Sequence, residues 1–206
     1  MLNDLGIKYN TDKAYRHYFC DYYENNLNKN ITELWEIGVL DGASLKMWSD
    51  YYPNAKIVGF DIKDKSNLQF NANVEVKHLD QSNIKELTEL SKQQNIDIIV
   101  DDGSHIIDHQ IKTFEMLFNC LKSGGQYIIE DLHTSTNLYL NKFDFNFKNN
   151  KGTLQYLNDI IANIIPKNYP GQIKTEDIIK NIKQIQIMCN LTTKNKRSIT
   201  AIITHI

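Results

Sequence analysis

Five short apolar runs recur along the chain and alternate with stretches of helical spacing. They are Leu34–Gly38, Lys56–Asp61, Val74–Asp80, Ile96–Asp101 and Gln126–Asp131. Ala43–Tyr52 repeats its apolar residues at Leu45, Trp48 and Tyr52. Ser82–Gln93 starts on a residue suited to capping and lines up Ile84, Leu87 and Leu90. From Ile107 to Leu121 a stripe runs through Ile111, Phe114, Leu117 and Phe118, and Ser123–Gly125 reads as its stop. Strands separated by helices predict an α/β fold: a mostly parallel sheet with helices on both faces.

The ends of the chain add to this frame. Lys13–Leu27 reads as an aromatic-rich helix and Thr153–Ile165 as another, with a turn at Asn168–Gln172. Ile182–Thr193 and Ser198–Ile206 are strand-like and flank a basic turn, Lys194–Arg197. They predict an antiparallel hairpin that brings the sheet to seven strands. His133–Gly152 is polar and aromatic without periodicity. The 206 residues suit one domain, with residues 1–30 as an N-terminal helical lid and 132–180 as an acceptor-side insertion.

Net charge is −2, so no basic field favours nucleic acid or an anionic membrane. No apolar stretch approaches the roughly 20 residues needed to span a bilayer, and no signal core opens the chain, so a cytoplasmic protein is expected. Cys20, Cys120 and Cys189 lack metal-site or disulfide spacing. Cys120 and Cys189 read as buried small hydrophobes.

In open α/β sheets ligands bind beyond the carboxyl ends of the strands. There the first strand leaves Glu36, Gly38, Gly42 and Ser44, and the second leaves Asp61. The third leaves Asp80-Gln81, the fourth Asp101-Asp102-Gly103-Ser104-His105, and the fifth Glu130-Asp131. The Gly38–Gly42 turn is neither a dinucleotide fingerprint nor a P-loop; its small cradle suits one carboxylate, such as that of a methionine moiety. Asp61 is placed to accept the hydroxyls of a ribose, and Asp80-Gln81 to reach an adenine amino group. Asp102, Glu130 and Asp131 offer three hard oxygen ligands, a set suited to Mg²⁺ or Mn²⁺. Asp101 either accepts from the ammonium of such a methionine moiety or caps the next helix. His105 is the candidate general base, because imidazoles titrate near neutral pH. His109 reads as an orienting group for His105 or Asp131, or as a weaker zinc pair with His105. His133 lines the cleft or is a satisfied loop residue.

"LWEIGVLDGASLKMW", "IVGFD", "VDDGSH…HQ" and "GGQYIIEDLHTS" resemble class I S-adenosylmethionine-dependent methyltransferases. More narrowly they resemble the metal-dependent O-methyltransferases that tailor macrolide sugars of the mycinamicin and tylosin type. "YNTDKAYRHY" is similar to that family's N-terminal GTDK-type segment, with Asn10 where glycine is usual. The resemblance implies a Rossmann-like fold and S-adenosylmethionine with Mg²⁺ or Mn²⁺ as cofactors. It implies the same three metal ligands and His105 as base. It also implies contacts from Thr11 or Lys13 to the cofactor carboxylate, and a homo-oligomer.

The expected function is O-methylation of a hydroxyl on a sugar or glycoconjugate. Other small acceptors (a phenol, an amine, a phosphorylated or nucleotide-linked intermediate) stay open, as does a non-catalytic nucleoside-binding protein. Lys142, Lys148 and Lys151 favour an anionic acceptor, and Tyr9, Tyr15 and Tyr18 are candidates for a lid.

Overall fold

The computed structural model describes residues 1–135, 151–191 and 197–206. The described strands form one seven-stranded sheet in the order β3-β2-β1-β4-β5-β7-β6. They are β1 (Glu33–Ile37), β2 (Lys56–Asp61), β3 (Val74–His78), β4 (Ile96–Asp101), β5 (Leu121–Ile129), β6 (Ile182–Leu191) and β7 (Arg197–His205). The first five run parallel, and β7 pairs antiparallel with both β5 and β6. This is the expected class I methyltransferase fold, with the hairpin added at one edge.

Side chains alternate across a strand, so the sheet has two apolar faces and two core layers. On one, Trp35, Ile37, Ile99, Tyr127 and Ile129 pack beneath α6 (Ile107–Leu117), with α5 (Ile84–Leu90), α7 (Thr153–Ile161) and α8 (Thr175–Ile179) alongside. On the other, Leu34, Ile57, Ile98, Val100 and Ile128 pack beneath α1 (Leu2–Lys8), α2 (Asp12–Tyr15), α3 (Cys20–Asn26) and α4 (Ala43–Tyr51).

Four expectations need correction. The single helix over Lys13–Leu27 is two helices, because Tyr18 takes a left-handed φ of 56° between them. Helix α1 precedes the Lys13–Leu27 segment, in which the sequence pattern places the N-terminal helix. Ser123–Gly125 does not stop a helix: α6 ends at Leu117, and β5 begins at Leu121. The glycines sit inside β5 at a bulge, where the pairing passes from Ile96↔Leu121 to Ile98↔Gln126. Cys189 is exposed rather than buried, since β6 is the sheet's edge strand; Cys20 and Cys120 are buried. Among the described residues no helix is long and apolar enough to cross a membrane.

Candidate active site

The last rung of the central sheet aligns Ile37, Asp101 and Ile129. One residue further, Gly38, Asp102 and Glu130 step off the strand ends together. Asp102 N donates to Ile37 O and Glu130 N to Asp101 O, which holds them in register. The two adjacent aspartates therefore face opposite layers. Asp101 turns toward α6, where it accepts from Gln81 Nε2 at 2.8 Å and lies 3.5 Å from the Tyr127 hydroxyl. Burial pushes its carboxyl up to about 7. It is 1% exposed, and the N-cap of α6 is Ile106, so Asp101 does not cap that helix.

Asp102 turns toward the N-terminal layer, as do Glu36 and Glu130. There they meet a residue the sequence singled out only by resemblance. Lys13, on α2, is 1% exposed. Its Nζ lies 2.5 Å from Asp102 Oδ2, 3.0 Å from Glu130 Oε2 and 3.2 Å from Glu36 Oε1. Burial alone would lower the lysine's pKa; Asp102, Glu130 and Glu36 outweigh it and hold the ammonium well above its usual value. Burial pushes Glu36 and Glu130 up, against the pull of Lys13. Glu130 Oε1 also accepts from Tyr23, and Glu36 Oε2 accepts from Ser44.

Asp131 ends the acidic run with a left-handed φ of 54°. Three imidazoles surround its carboxylate: His105 at 3.7 Å, His17 at 3.5 Å and His133 at 3.7 Å. His105 is also left-handed, with φ 58°. Donor atoms of Asp102, His105 and Asp131 all lie within 4.8 Å of one another, a grouping able to hold a metal ion. This trio shares two members with the set read from the sequence. It has His105 where that set has Glu130, whose two oxygens are occupied by Lys13 and Tyr23.

Two hollows flank the strand ends and share Gly38, Asp61 and Gly103. One, of about 190 Å³, has apolar walls from Ile37, Phe60, Ile62 and Leu79, with Asp80 and His109 on its rim. The other, of about 410 Å³, is bounded by Thr11, Lys13, Ser44, Asp102, His105 and Asp131. Gly38 sits between them at φ +95°, and a Cβ there would lie 2.1 Å from the Asp102 carbonyl oxygen. Only glycine permits this approach of β1 to β4. A third, larger hollow of about 520 Å³ lies off the strand ends, beside β3, and carries no comparable cluster.

The remaining candidates divide. Asp61 accepts from the backbone N–H of Val39 and Lys63, with Lys65 at 3.3 Å. Burial would raise its pKa, but these donors hold it below the usual carboxylate range. Asp80 caps its own turn, accepting from Ser82. The Gln81 amide is engaged inside the protein: it donates to Asp101 and accepts from Ser104 N. Gly42 is the N-cap of α4 and packs against Phe70, while Ala43 and Ser44 line the larger hollow.

His109 lies away from the His105–Asp131 group. Its Nδ1 is 2.8 Å from Ser104 Oγ, on the smaller hollow, and it is not in the metal-competent trio. Of the three lid tyrosines, Tyr15 lines the cleft; Tyr9 instead donates to Asp50 at 2.5 Å. Asn10 takes φ 58°, a conformation that glycine or asparagine tolerates best. Lys142 and Lys148 lie outside the described residues. Lys151 is directed to the Lys167 carbonyl and the Tyr169 ring.

Comparison with known proteins agrees with this geometry. The family described as "Methyltransferase domain" matches residues 42–187. Mycinamicin VI 2''-O-methyltransferase of Micromonospora griseorubida is 33% identical over 147 residues, covering 65% of this chain and 36% of that protein. Demethylmacrocin O-methyltransferase of Streptomyces fradiae is 36% identical over 146 residues, covering 65% of this chain and 37% of that protein. The solved structure of the mycinamycin-pathway methyltransferase MycE, in complex with Mg and SAH, superposes with a TM-score of 0.75 at 25% identity. That match covers 99% of this chain and 54% of the MycE chain. This chain thus spans little more than a third of the curated relatives it matches and about half of MycE. With the family pattern matched over residues 42–187 and the sheet order in place, the chain belongs to the methyltransferase-domain family.

Proposed function

We propose that this chain is an S-adenosylmethionine-dependent, divalent-metal-assisted O-methyltransferase acting on a hydroxyl of a sugar or glycoconjugate. The observation that carries the reading is the pair of joined hollows across the strand ends, with the metal-competent trio at one end. The names of the relatives supply the acceptor class: they methylate hydroxyls of sugars on macrolides and related polyketides.

The apolar slot beside Ile37, Phe60 and Leu79 fits a planar base, and Asp61 lies where the two hollows meet. Gly38 and Gly103 keep the floor between the hollows low, since a Cβ on either would meet an atom at 2.1 Å. Glu36 and Ser44 hold each other at the first strand end. Asp101 braces the floor from beneath through Gln81, which donates to it and also lines the smaller hollow. S-adenosylmethionine supplies the methyl group. The carboxylates of Asp102 and Asp131 fit Mg²⁺ or Mn²⁺ as hard oxygen ligands, and the His105 imidazole beside them is kept for the proton. Glu130 lies behind Lys13. Such an ion supplies Lewis acidity, which makes an acceptor hydroxyl easier to deprotonate.

The chain's own contribution is alignment and proton transfer. The imidazole of His105 takes the hydroxyl proton, and Asp131 Oδ2, 3.7 Å from Nε2, favours the resulting imidazolium. The walls of the cleft hold acceptor and methyl donor in line, an effect worth several kcal/mol in comparable reactions.

The test is methyl transfer from S-adenosylmethionine to a panel of free and conjugated sugars in the presence of Mg²⁺. His105→Ala should lower turnover ~10²–10⁴-fold, the usual worth of a positioned base. Its affinity for S-adenosylhomocysteine, measured by calorimetry, should stay within about two-fold. Full activity of that variant from pH 6 to 9 would remove His105 from the role.

A further inference from the structure

Asp102 belongs to two cation sites at once. On one side it closes a cage with Glu36 and Glu130 around the Lys13 ammonium. On the other it belongs, with His105 and Asp131, to the trio able to hold a metal. The cage draws one carboxylate from each of three strand ends, β1, β4 and β5, and its cation from a helix that is not part of the sheet. We propose that Lys13 is a tethered cation that competes with a divalent metal ion for Asp102, and so sets the metal affinity of this chain. This inference rests on the metal-assisted reading above.

Three observations support it. First, Lys13 is 1% exposed, so its ammonium has exchanged its water for these carboxylates. Second, the closest of the three contacts, 2.5 Å, is to Asp102, the member shared with the trio. An oxygen that receives a charge-assisted hydrogen bond at that distance is a poorer metal ligand than a free one. Third, the lysine is delivered by a four-residue helix, α2, with left-handed residues on either side: Asn10 at φ 58° and Tyr18 at φ 56°. The segment carrying Lys13 also forms a wall of the larger hollow through Thr11, Tyr15 and Arg16. A metal ion that draws Asp102 toward the trio therefore weakens the strongest tie of that wall to the sheet.

Two charges of like sign sharing one carboxylate oppose each other. Removing the ammonium leaves Glu36, Asp102 and Glu130 without their shared partner, which favours any other cation and destabilises the metal-free protein. A lysine that merely shaped the site would have the reverse effect, since its loss would let the carboxylates drift and weaken metal binding.

The test uses the whole chain and Mn²⁺ alone, titrated calorimetrically into the parent, Lys13→Met and Lys13→Gln. Both variants should bind Mn²⁺ at least ten-fold more tightly than the parent. Their thermal midpoints should fall without metal and recover more than the parent's when Mn²⁺ is added. A parent that binds, with folded variants that bind equally or more weakly, would overturn the competition while leaving the metal site intact. If neither parent nor variants bind at millimolar Mn²⁺, and Asp131→Asn changes nothing, the metal reading itself falls and the inference with it. A readout independent of substitution is NMR of lysine labelled at Cε in the parent. Mg²⁺ should move the Lys13 signal toward the solvent-exposed position, and an unmoved signal at saturating Mg²⁺ would count against the proposal.

Discussion

At the scale of single residues, the decisive feature is parity. Asp101 and Asp102 are neighbours in sequence, yet the alternation of a strand sends them to opposite layers. Asp101 meets Gln81 and Tyr127, and Asp102 meets Lys13. The same parity puts Glu36 and Glu130 on the Lys13 side. Gly38 is what lets these strand ends converge. At φ +95° it occupies a region where a side chain is strained, and a Cβ would press on the Asp102 carbonyl at 2.1 Å. Gly38→Ala should therefore cost at least ~1–3 kcal/mol from the backbone alone. It should also reduce affinity for S-adenosylhomocysteine, because β1 and β4 must separate to make room. Urea denaturation and calorimetry would check this. A variant as stable as the parent would mean that the two strand ends part freely.

At the scale of elements, buried carboxylates join pieces that packing alone would leave loose. Glu115 on α6 is fully buried and accepts from the Tyr156 hydroxyl of α7 at 2.8 Å. It also accepts from the backbone N–H groups of Ile173 and Lys174 at 2.5 Å, and from the Thr175 hydroxyl. One side chain thus anchors α7 and the start of α8 to α6. Hydrogen bonds to a charged group are worth about 1.5–3 kcal/mol each. Glu115→Ala should cost about 3 kcal/mol or more in urea denaturation, and amide exchange should speed up around Ile173–Thr175. A loss below about 1 kcal/mol would show that α8 is held by its apolar contacts instead.

Such joints also explain what the sequence made legible. The strands, their parallel order and the acidic strand ends follow from local pattern, and so does the hairpin. His105 and Asp131 were recognisable because their neighbours in the chain are also their neighbours in the site. Lys13 stands out only by resemblance, and His17 and Tyr23 not at all, since Lys13 reaches Asp102 across 89 residues of chain and Tyr23 reaches Glu130 across 107. The break at Tyr18 and the bulge at Ser123–Gly125 leave no local signal for a related reason. Helical periodicity and glycine runs carry no information about the register of a distant partner strand.

At the scale of the whole molecule, the sheet separates two core layers, and each holds one buried cysteine. Cys120 belongs to the layer under α6, and Cys20 to the layer under the N-terminal helices. Burial pushes the Cys120 thiol up to about 11; burial together with Glu130 pushes Cys20 up to about 12. The thiolate is the reactive form, so both remain inert at pH 8 while the fold persists. Cys189, on the edge strand, is exposed. Iodoacetamide at pH 8 should therefore modify Cys189 in the native protein, and peptide mass spectrometry should find Cys20 and Cys120 unmodified. With rising urea the two buried thiols become separate probes of the two layers. The layers share every strand of the central sheet, and Lys13 ties the N-terminal helices to three strand ends. Both thiols should then become reactive at one urea concentration, as expected of a single cooperative unit. If Cys20 reacted at a lower concentration than Cys120, the N-terminal helices would form a separable layer, and Lys13 would be too weak a tie to hold them.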